Sequence, residues 1–205
     1  MFDKAVSKLN DYETIDSMLK DNNGIITATQ VTVAGIQRRA LSELAAAKRI
    51  YRVARGIYAL PEVWEDEMYF LQYRFSKGVF SNETALYLHD MTDRTPLAFT
   101  LTFPQGYNAT GLKKLGVKTK FVILDVYNMG VTSLPSPNDN PLRVYDVERT
   151  LCDIVKGNNA CDIQLVNQTM KTYAGSKGRD MAKLIDYAER LHVKSKILRY
   201  MEVLL

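Results

Sequence analysis

TATQVTVAGIQRRALSELAAAKRIYRVARGIYAL, residues 27–60, is the stretch whose reading decides the fold. It opens on a capping box, in which the Thr27 hydroxyl caps a helix start and Gln30, three residues on, reaches back to the cap. One to two helical turns fit before Val33-Ala34-Gly35. Glycine there supplies the backbone freedom that a turn between two crossing helices requires. A second helix fits Ile36 to Ala47. At about 100° per residue, Ile36, Ala40, Leu41, Leu44 and Ala47 share an apolar face, while Arg38, Ser42 and Ala46 point away and Arg39 and Ala45 flank them. Ile50-Tyr51-Arg52-Val53 and Ile57-Tyr58-Ala59-Leu60 then read as two β-rich runs, joined into a hairpin by Ala54-Arg55-Gly56. Helix, turn, helix and two-stranded wing make the pattern of a winged helix-turn-helix.

That order gives the charges a purpose. Arg38 and Arg39 open the second helix, Lys48 and Arg49 close it, and Arg52 and Arg55 sit on the hairpin; Glu43 is the only acid among them. A recognition helix places its N-terminal residues at base edges in the major groove. Arg38 or Arg39 suits a forked contact to guanine there, and Ser42, one turn on, is less selective. Ala45 and Ala46 are small enough to let the helix approach closely. Lys48, Arg49, Arg52 and Arg55 fit phosphate contacts, which give affinity and register but not sequence choice. Thr29 and Gln37 complete the candidate DNA-facing set. The competing reading is a basic, solvated helix in a domain that binds protein.

Length and composition bound the rest. The 205 residues suit two modest domains. A hydrophobic content of 46% and a charged content of 24% are those of an ordinary globular chain. Net charge is +4 and the isoelectric point about 8.9, mildly basic and compatible with nucleic acid. No apolar run approaches a membrane span, and the N-terminus lacks a signal-peptide pattern, so a cytoplasmic location with no membrane partner is expected. Cys152 and Cys161 are too few for a disulfide scaffold and are read as reduced, partly buried thiols. A zinc site is excluded, because His89 and His192 lie far from both cysteines and no paired Cys spacing exists.

Before the deciding stretch, Tyr12, Ile15 and Leu19 recur at helical spacing and predict a helix over Asp11–Asp21. Asp3, Lys4, Val6, Lys8 and Leu9 extend it backwards as an amphipathic arm. Asn22-Asn23-Gly24 ends it with a left-handed cap, and Ile25-Ile26 makes a short extended piece able to pair with the hairpin. After Pro61 the sign of the charge reverses. Glu62, Glu65, Asp66 and Glu67 are interleaved with Trp64, Tyr69, Phe70, Tyr73 and Phe75, which predicts a connector helix packing aromatics. Ser81 is placed to cap a helix with Glu83 in its first turn and Ala85, Leu88 and His89 on one face. Phe99, Leu101 and Phe103 alternate with Thr100 and Thr102, a half-buried strand ended by Pro104. Phe121 to Leu124 is a continuous apolar run that predicts a central strand. Val131–Leu134 and Arg143–Tyr145 are further strands around a Pro135–Pro141 loop, and Asp146 reads as the cap of a helix over Val147–Val155. Val166, Met170 and Tyr173, then Met181, Leu184, Ile185, Ala188 and Leu191, then Ile197, Tyr200, Met201 and Leu204 keep helical spacing. Strands followed by helices, segregated along the chain, make the fold class α+β.

Four motifs in this order resemble the AbiEi family, antitoxins of type IV abortive-infection toxin–antitoxin systems. They are R-V-x-R-G-x-Y-x-L-P at Arg52–Pro61, S-x-E-T-A-L-Y-L-H-x-M-T-D at Ser81–Asp93, V-Y-D-x-E-R-T-L-C-D at Val144–Asp153 and Y-x-E-V-L-L at Tyr200–Leu205. The resemblance implies a winged helix-turn-helix DNA-binding domain over residues 1–61, a connector over 62–75 and a C-terminal antitoxin domain over 76–205. That last domain would be mixed α/β with a helical final third. It implies binding to inverted repeats of double-stranded operator DNA in the protein's own promoter, and repression. It also implies neutralisation of a nucleotidyltransferase-like toxin, without a stable complex between the two proteins. An inverted repeat calls for two copies on the DNA.

Chemistry in the second domain is sparse. His89-Asp90 is a formal general-base pair, and Asp146, Glu148 and Asp153 a formal carboxylate group for a metal. Yet His89 falls on an apolar helix face, Asp146 reads as a cap, and Glu148 with Arg149 as a local ion pair. No phosphate loop, nucleophile elbow or metal-ligand helix is present, so no catalytic residue, cofactor or metal is expected. Lys113, Lys114, Lys118 and Lys120 cluster around Gly116, and Lys177, Arg179 and Lys183 around Gly178. These are solvated faces or a basic surface facing RNA or DNA. The alternative function is a winged-helix protein whose C-terminal domain is nuclease-like or binds RNA.

Overall fold

A computed structural model of the chain describes residues 2–63, 66–157 and 161–204, with side chains from Asn10 onward. The expectations for Trp64, Glu65 and Leu205, and for the faces of the Asp3–Leu9 arm, fall outside the described residues. The chain is α+β, with ten α-helices, two sheets and a helical last third among those residues. It divides into two compact units, residues 1–74 with 135–141, and residues 75–134 with 142–205.

The first unit begins with α1 (Phe2–Asp21) and continues through β1 (Ile25–Thr27), α2 (Ala28–Val33), α3 (Arg39–Ala46), β2 (Tyr51–Ala54), β3 (Ile57–Ala59) and α4 (Glu67–Arg74). Asn23 and Gly24 end α1 in the left-handed region (φ 50° and 78°), and the Gly24 amide donates to Leu19 O at 2.7 Å. A Cβ on Gly24 would lie 2.2 Å from Val63 Cγ2, so glycine is required there twice over. The strands form an antiparallel sheet in the order β1-β3-β2, with Ile25 opposite Ala59 and Ile26 opposite Tyr58. The expected pairing of Ile25-Ile26 with the hairpin is therefore present. Ile15, Leu19, Ile26, Val31, Leu41, Leu44 and Ile50 close a common core. Each is stabilised by roughly 1.5–3 kcal/mol relative to exposure.

The capping box is in place: the Thr27 hydroxyl accepts from Gln30 N, and Gln30 Oε1 accepts from Thr27 N at 2.8 Å. Gly35 has φ 78°, as the turn requires. Helix α3 is shorter than Ile36–Ala47, because Ile36 to Arg38 are spent on the turn. Ile36 is buried and its amide donates back to Val31 O. Ala47 is exposed rather than on the apolar face, since α3 stops at Ala46. Within the same unit Asp66 is buried. Its Oδ1 caps α4 at Tyr69 N, and its Oδ2 accepts from Ser136 Oγ and Asn140 Nδ2. Asp66 is thus a buried cap rather than a surface charge.

The second unit holds, apart from the end residues Pro135 and Pro141, β4 (Val79–Phe80), α5 (Asn82–Leu88), β5 (Thr100–Pro104), β6 (Lys118–Val122), α6 (Leu124–Asn128), β7 (Val131–Pro135) and β8 (Pro141–Tyr145), then α7 (Val147–Ile154), α8 (Ile163–Gly175), α9 (Met181–Arg190) and α10 (Lys194–Leu204). Its sheet runs β6-β5-β4-β8-β7, antiparallel at β4/β5 and parallel at β4/β8 and β5/β6. Strand β5 is buried on both faces, not half-buried: Thr84 Oγ1 accepts from Thr100 N, and the Thr102 hydroxyl donates to Ser81 Oγ. Ser81 is the N-cap residue of α5, but its side chain makes no capping bond to the helix. The Phe121–Leu124 run is not a central strand. It straddles the edge strand β6 and the start of α6.

Candidate nucleic-acid interface

Helix α3 buries Ala40, Leu41 and Leu44 and exposes the opposite face. Gln37, Arg38, Arg39 and Ser42 are all exposed, with the Arg39 side chain 80% accessible. Neither arginine hangs free. Arg38 Nε donates to the Thr32 hydroxyl at 2.9 Å, and Arg39 Nε donates to Glu43 Oε1 at 3.0 Å, one turn on. Tyr12 O–H donates to the other oxygen of Glu43, linking that pair back to α1. Both guanidiniums therefore keep donors available while their long side chains are partly ordered. That ordering reduces the entropy lost when a contact forms.

The end of α3 is equally specific. Lys48 N–H donates to Ala45 O and Arg49 N–H to Leu44 O, both at 3.0 Å, the paired bonds of a Schellman cap. Lys48 occupies its left-handed position, with φ 58°, where glycine is the usual residue. Arg49 is held by Asp16 of α1 at 2.6 Å, a half-exposed ion pair. Arg52 is exposed on β2, just before an irregularity in the β2/β3 register between Arg52 and Ala54. The hairpin turn is only Arg55-Gly56, with Gly56 at φ 78° and its carbonyl accepting from Ala28 N at 2.8 Å. Thr29 is exposed at the start of α2, with its hydroxyl 3.3 Å from Tyr73 Oη.

Residues 13–61 match the family described as "Transcriptional regulator, AbiEi antitoxin". The first unit carries an AbiEi-type regulator domain. The solved structure of the RV2827C protein from Mycobacterium tuberculosis is similar with a TM-score of 0.47. It is 15% identical and the match covers 95% of this chain and 80% of that one. No curated protein matches. In the first unit, Tyr12, Asp16, Thr32 and Glu43 are the partners of the site that the sequence alone does not connect to it. Only the i,i+4 spacing of Arg39 and Glu43 was available as a signal.

The second unit separates its basic residues. Lys113, Lys114 and Lys177 are exposed, Lys118 lies 3.9 Å from Glu83, and Lys120 is half-buried at the middle of β6. Arg179 donates to Ser176 O at 3.0 Å. Lys183 leaves the candidate surface: its ammonium is 2.9 Å from Asp146 and 3.2 Å from Glu148 and lies over the Tyr187 ring. Partial burial opposes its charge, but the two carboxylates outweigh that and hold its pKa above the ordinary lysine range.

The expected Glu148–Arg149 pair is also replaced. Glu148 receives Tyr173 O–H and Lys183, whereas Arg149 is 1% exposed. Arg149 donates to Asp153, Val126 O and Met129 O and lies 4.3 Å over the Tyr145 ring. These carboxylates are consumed by structural partners, and no group of three or more His, Cys, Asp or Glu able to hold a metal occurs among the described residues. His89 Nε2 lies 2.8 Å from Tyr145 O. Burial pushes the Cys152 thiol up to about 12 and the Cys161 thiol up to about 11, which favours the protonated thiol of both at neutral pH. No described helix is long and apolar enough to cross a membrane.

Proposed function

We propose that the first unit is a winged helix-turn-helix that binds inverted repeats in its own promoter and represses transcription. The observation that carries this reading is the exposed, pre-ordered pair Arg38 and Arg39 at the start of α3. On this reading α3 lies in the major groove with Arg38 and Arg39 at base edges. Lys48, Arg49, Arg52 and Arg55 meet the flanking phosphates, and the short ribbon β2/β3 follows the backbone. The AbiEi-type domain over residues 13–61 supports the regulator class. The same reading makes the second unit the part that neutralises a nucleotidyltransferase-like toxin, with no stable complex between the two.

A gel shift on the protein's upstream region, with excess nonspecific competitor, tests the first half. A retained, competitor-resistant shift supports it, and binding that competitor removes entirely contradicts it. Co-expression with an adjacent nucleotidyltransferase-like reading frame tests the second half, with growth rescue by residues 76–205 or by the full chain as the readout.

A further inference from the structure

Strand β6 forms one edge of the second unit's sheet and, among the described residues, pairs with β5 alone. Lys118 N–H donates to Phe99 O and Val122 O accepts from Gln105 N–H, each at 2.8 Å. Backbone groups alternate sides along a strand, so Lys118, Lys120 and Val122 face β5. The N–H and C=O groups of Thr119 and Phe121 then point to the open edge. Edge strands are ordinarily short, polar or covered. This one is flanked by Leu115, Phe121, Ile123 and Leu124, each between 45% and 61% exposed. Lys118 and Lys120 lie on the strand itself, Lys118 3.9 Å from Glu83 and Lys120 half-buried, and Lys113 and Lys114 are exposed in the turn that leads into it.

Three kinds of occupant fit an exposed, basic edge, and chemistry separates them. A second copy paired edge to edge would set lysines against lysines, and like charges opposite one another destabilise a strand pair. A nucleic acid would satisfy the charge. Single-stranded bases stack on aromatic rings, however, and only Phe121 of the four exposed apolar side chains is aromatic. An extended polypeptide satisfies everything on the edge at once. It supplies main-chain partners for Thr119 and Phe121, apolar cover for Leu115, Ile123 and Leu124, and carboxylates for the exposed Lys113 and Lys114.

We infer that β6 is a docking edge for an extended segment of another polypeptide, added as a sixth strand, whose apolar residues alternate with Asp or Glu. This rests on the second unit alone and is independent of the promoter-binding reading.

The test titrates the full chain with a short, capped peptide of alternating Glu and Val while amide hydrogen exchange is followed. An alternating Lys and Val peptide and an N-methylated Glu and Val peptide serve as controls. The expected result is slowed exchange at Thr119 and Phe121 with the first peptide and with neither control. Thr119→Pro removes an outward amide without touching the β5 pairing, and should weaken binding by about tenfold or more, which is at least 1.4 kcal/mol. Lys113→Glu with Lys114→Glu should weaken it comparably, and this pair carries the test if Thr119→Pro does not fold. The inference is overturned by any of four outcomes: no protection by the Glu and Val peptide, equal binding of the Lys and Val peptide, protection of the same amides by a single-stranded RNA that displaces the peptide, or self-association of the free chain that Thr119→Pro abolishes.

Discussion

Arg38 Nε donates to the Thr32 hydroxyl at 2.9 Å, so the start of α3 is tied to the last turn of α2 across the Gly35 turn. The bond fixes one guanidinium edge and leaves the other for a ligand. Thr32→Val removes the tether and keeps the charge. It should cost less affinity for operator than Arg38→Ala, while nonspecific duplex binding stays unchanged. Arg38→Ala should reduce discrimination between operator and single-base variants by about 1–3 kcal/mol. Competition binding with such variants measures both.

Lys48 sits at φ 58°, a position that favours glycine, and its side chain is exposed. Lys48→Gly should therefore raise fold stability by about 0.5–1 kcal/mol, read by urea unfolding. The same change should weaken binding to all duplexes alike and reduce the salt slope by about one. A gain in stability with unaltered salt slope would separate the residue from the phosphate backbone.

Two glycines with nearly the same φ should behave differently. Gly35 has no heavy atom within 4 Å of a built Cβ, so Gly35→Ala should cost only the left-handed strain, roughly 1–2 kcal/mol. Gly24→Ala carries that strain and the overlap with Val63 Cγ2, which adds roughly 1–3 kcal/mol. Thermal or urea unfolding of the two variants ranks them.

Arg149→Met should destabilise the chain by about 3–5 kcal/mol at neutral pH, because Asp153, largely buried, is left without its partner and two carbonyls lose their donor. Burial already raises the Asp153 pKa, and Arg149 opposes that rise. With the arginine gone the rise is larger. Between the ordinary carboxylate range and the raised value, the folded state keeps a proton that the unfolded state has released. Stability of the variant therefore increases as pH falls through that window, and its deficit against wild type should shrink as pH falls from neutrality toward the ordinary carboxylate range. Unfolding curves across that range check the sign.

The legible parts of the sequence were those decided locally. Thr27 and Gln30 lie three residues apart, Gly35 stands in its turn, and Asp146 caps Arg149 N, so each motif carries its own partner. What was not legible depends on residues far apart in the chain. Thr100 and Thr102 alternate as a solvent face would, but Thr84 of α5 and its N-cap residue Ser81 cover them. The Phe121–Leu124 run has the composition of a buried strand, and only the strand order shows it at an edge. Arg149 and Glu148 are neighbours in sequence, which suggests a pair. Their actual partners include Met129 O, Tyr173 and Lys183.

The candidate interface divides in the same way. Exposure of Arg38, Arg39 and Ser42 followed from helical periodicity. Their tethers to Thr32, Glu43 and, through Glu43, Tyr12 did not, because Thr32 lies across a turn and Tyr12 lies 31 residues from Glu43. Lys183 stands close in sequence to Lys177 and Arg179, which suggests one basic surface. Its neutralisation by Asp146 and Glu148 comes from the packing of α9 against α7.

The central claim is that the exposed start of α3 reads bases. It is tested most directly by measuring, at one fixed salt concentration, the affinity of wild type and Arg39→Ala for the upstream inverted repeat and for a scrambled duplex of equal length. Wild type should prefer the repeat by about a thousandfold or more. Arg39→Ala should lose one to two decades of that preference with little change on the scrambled duplex. Equal affinity of wild type for both duplexes, or an equal loss on both for Arg39→Ala, would contradict the account.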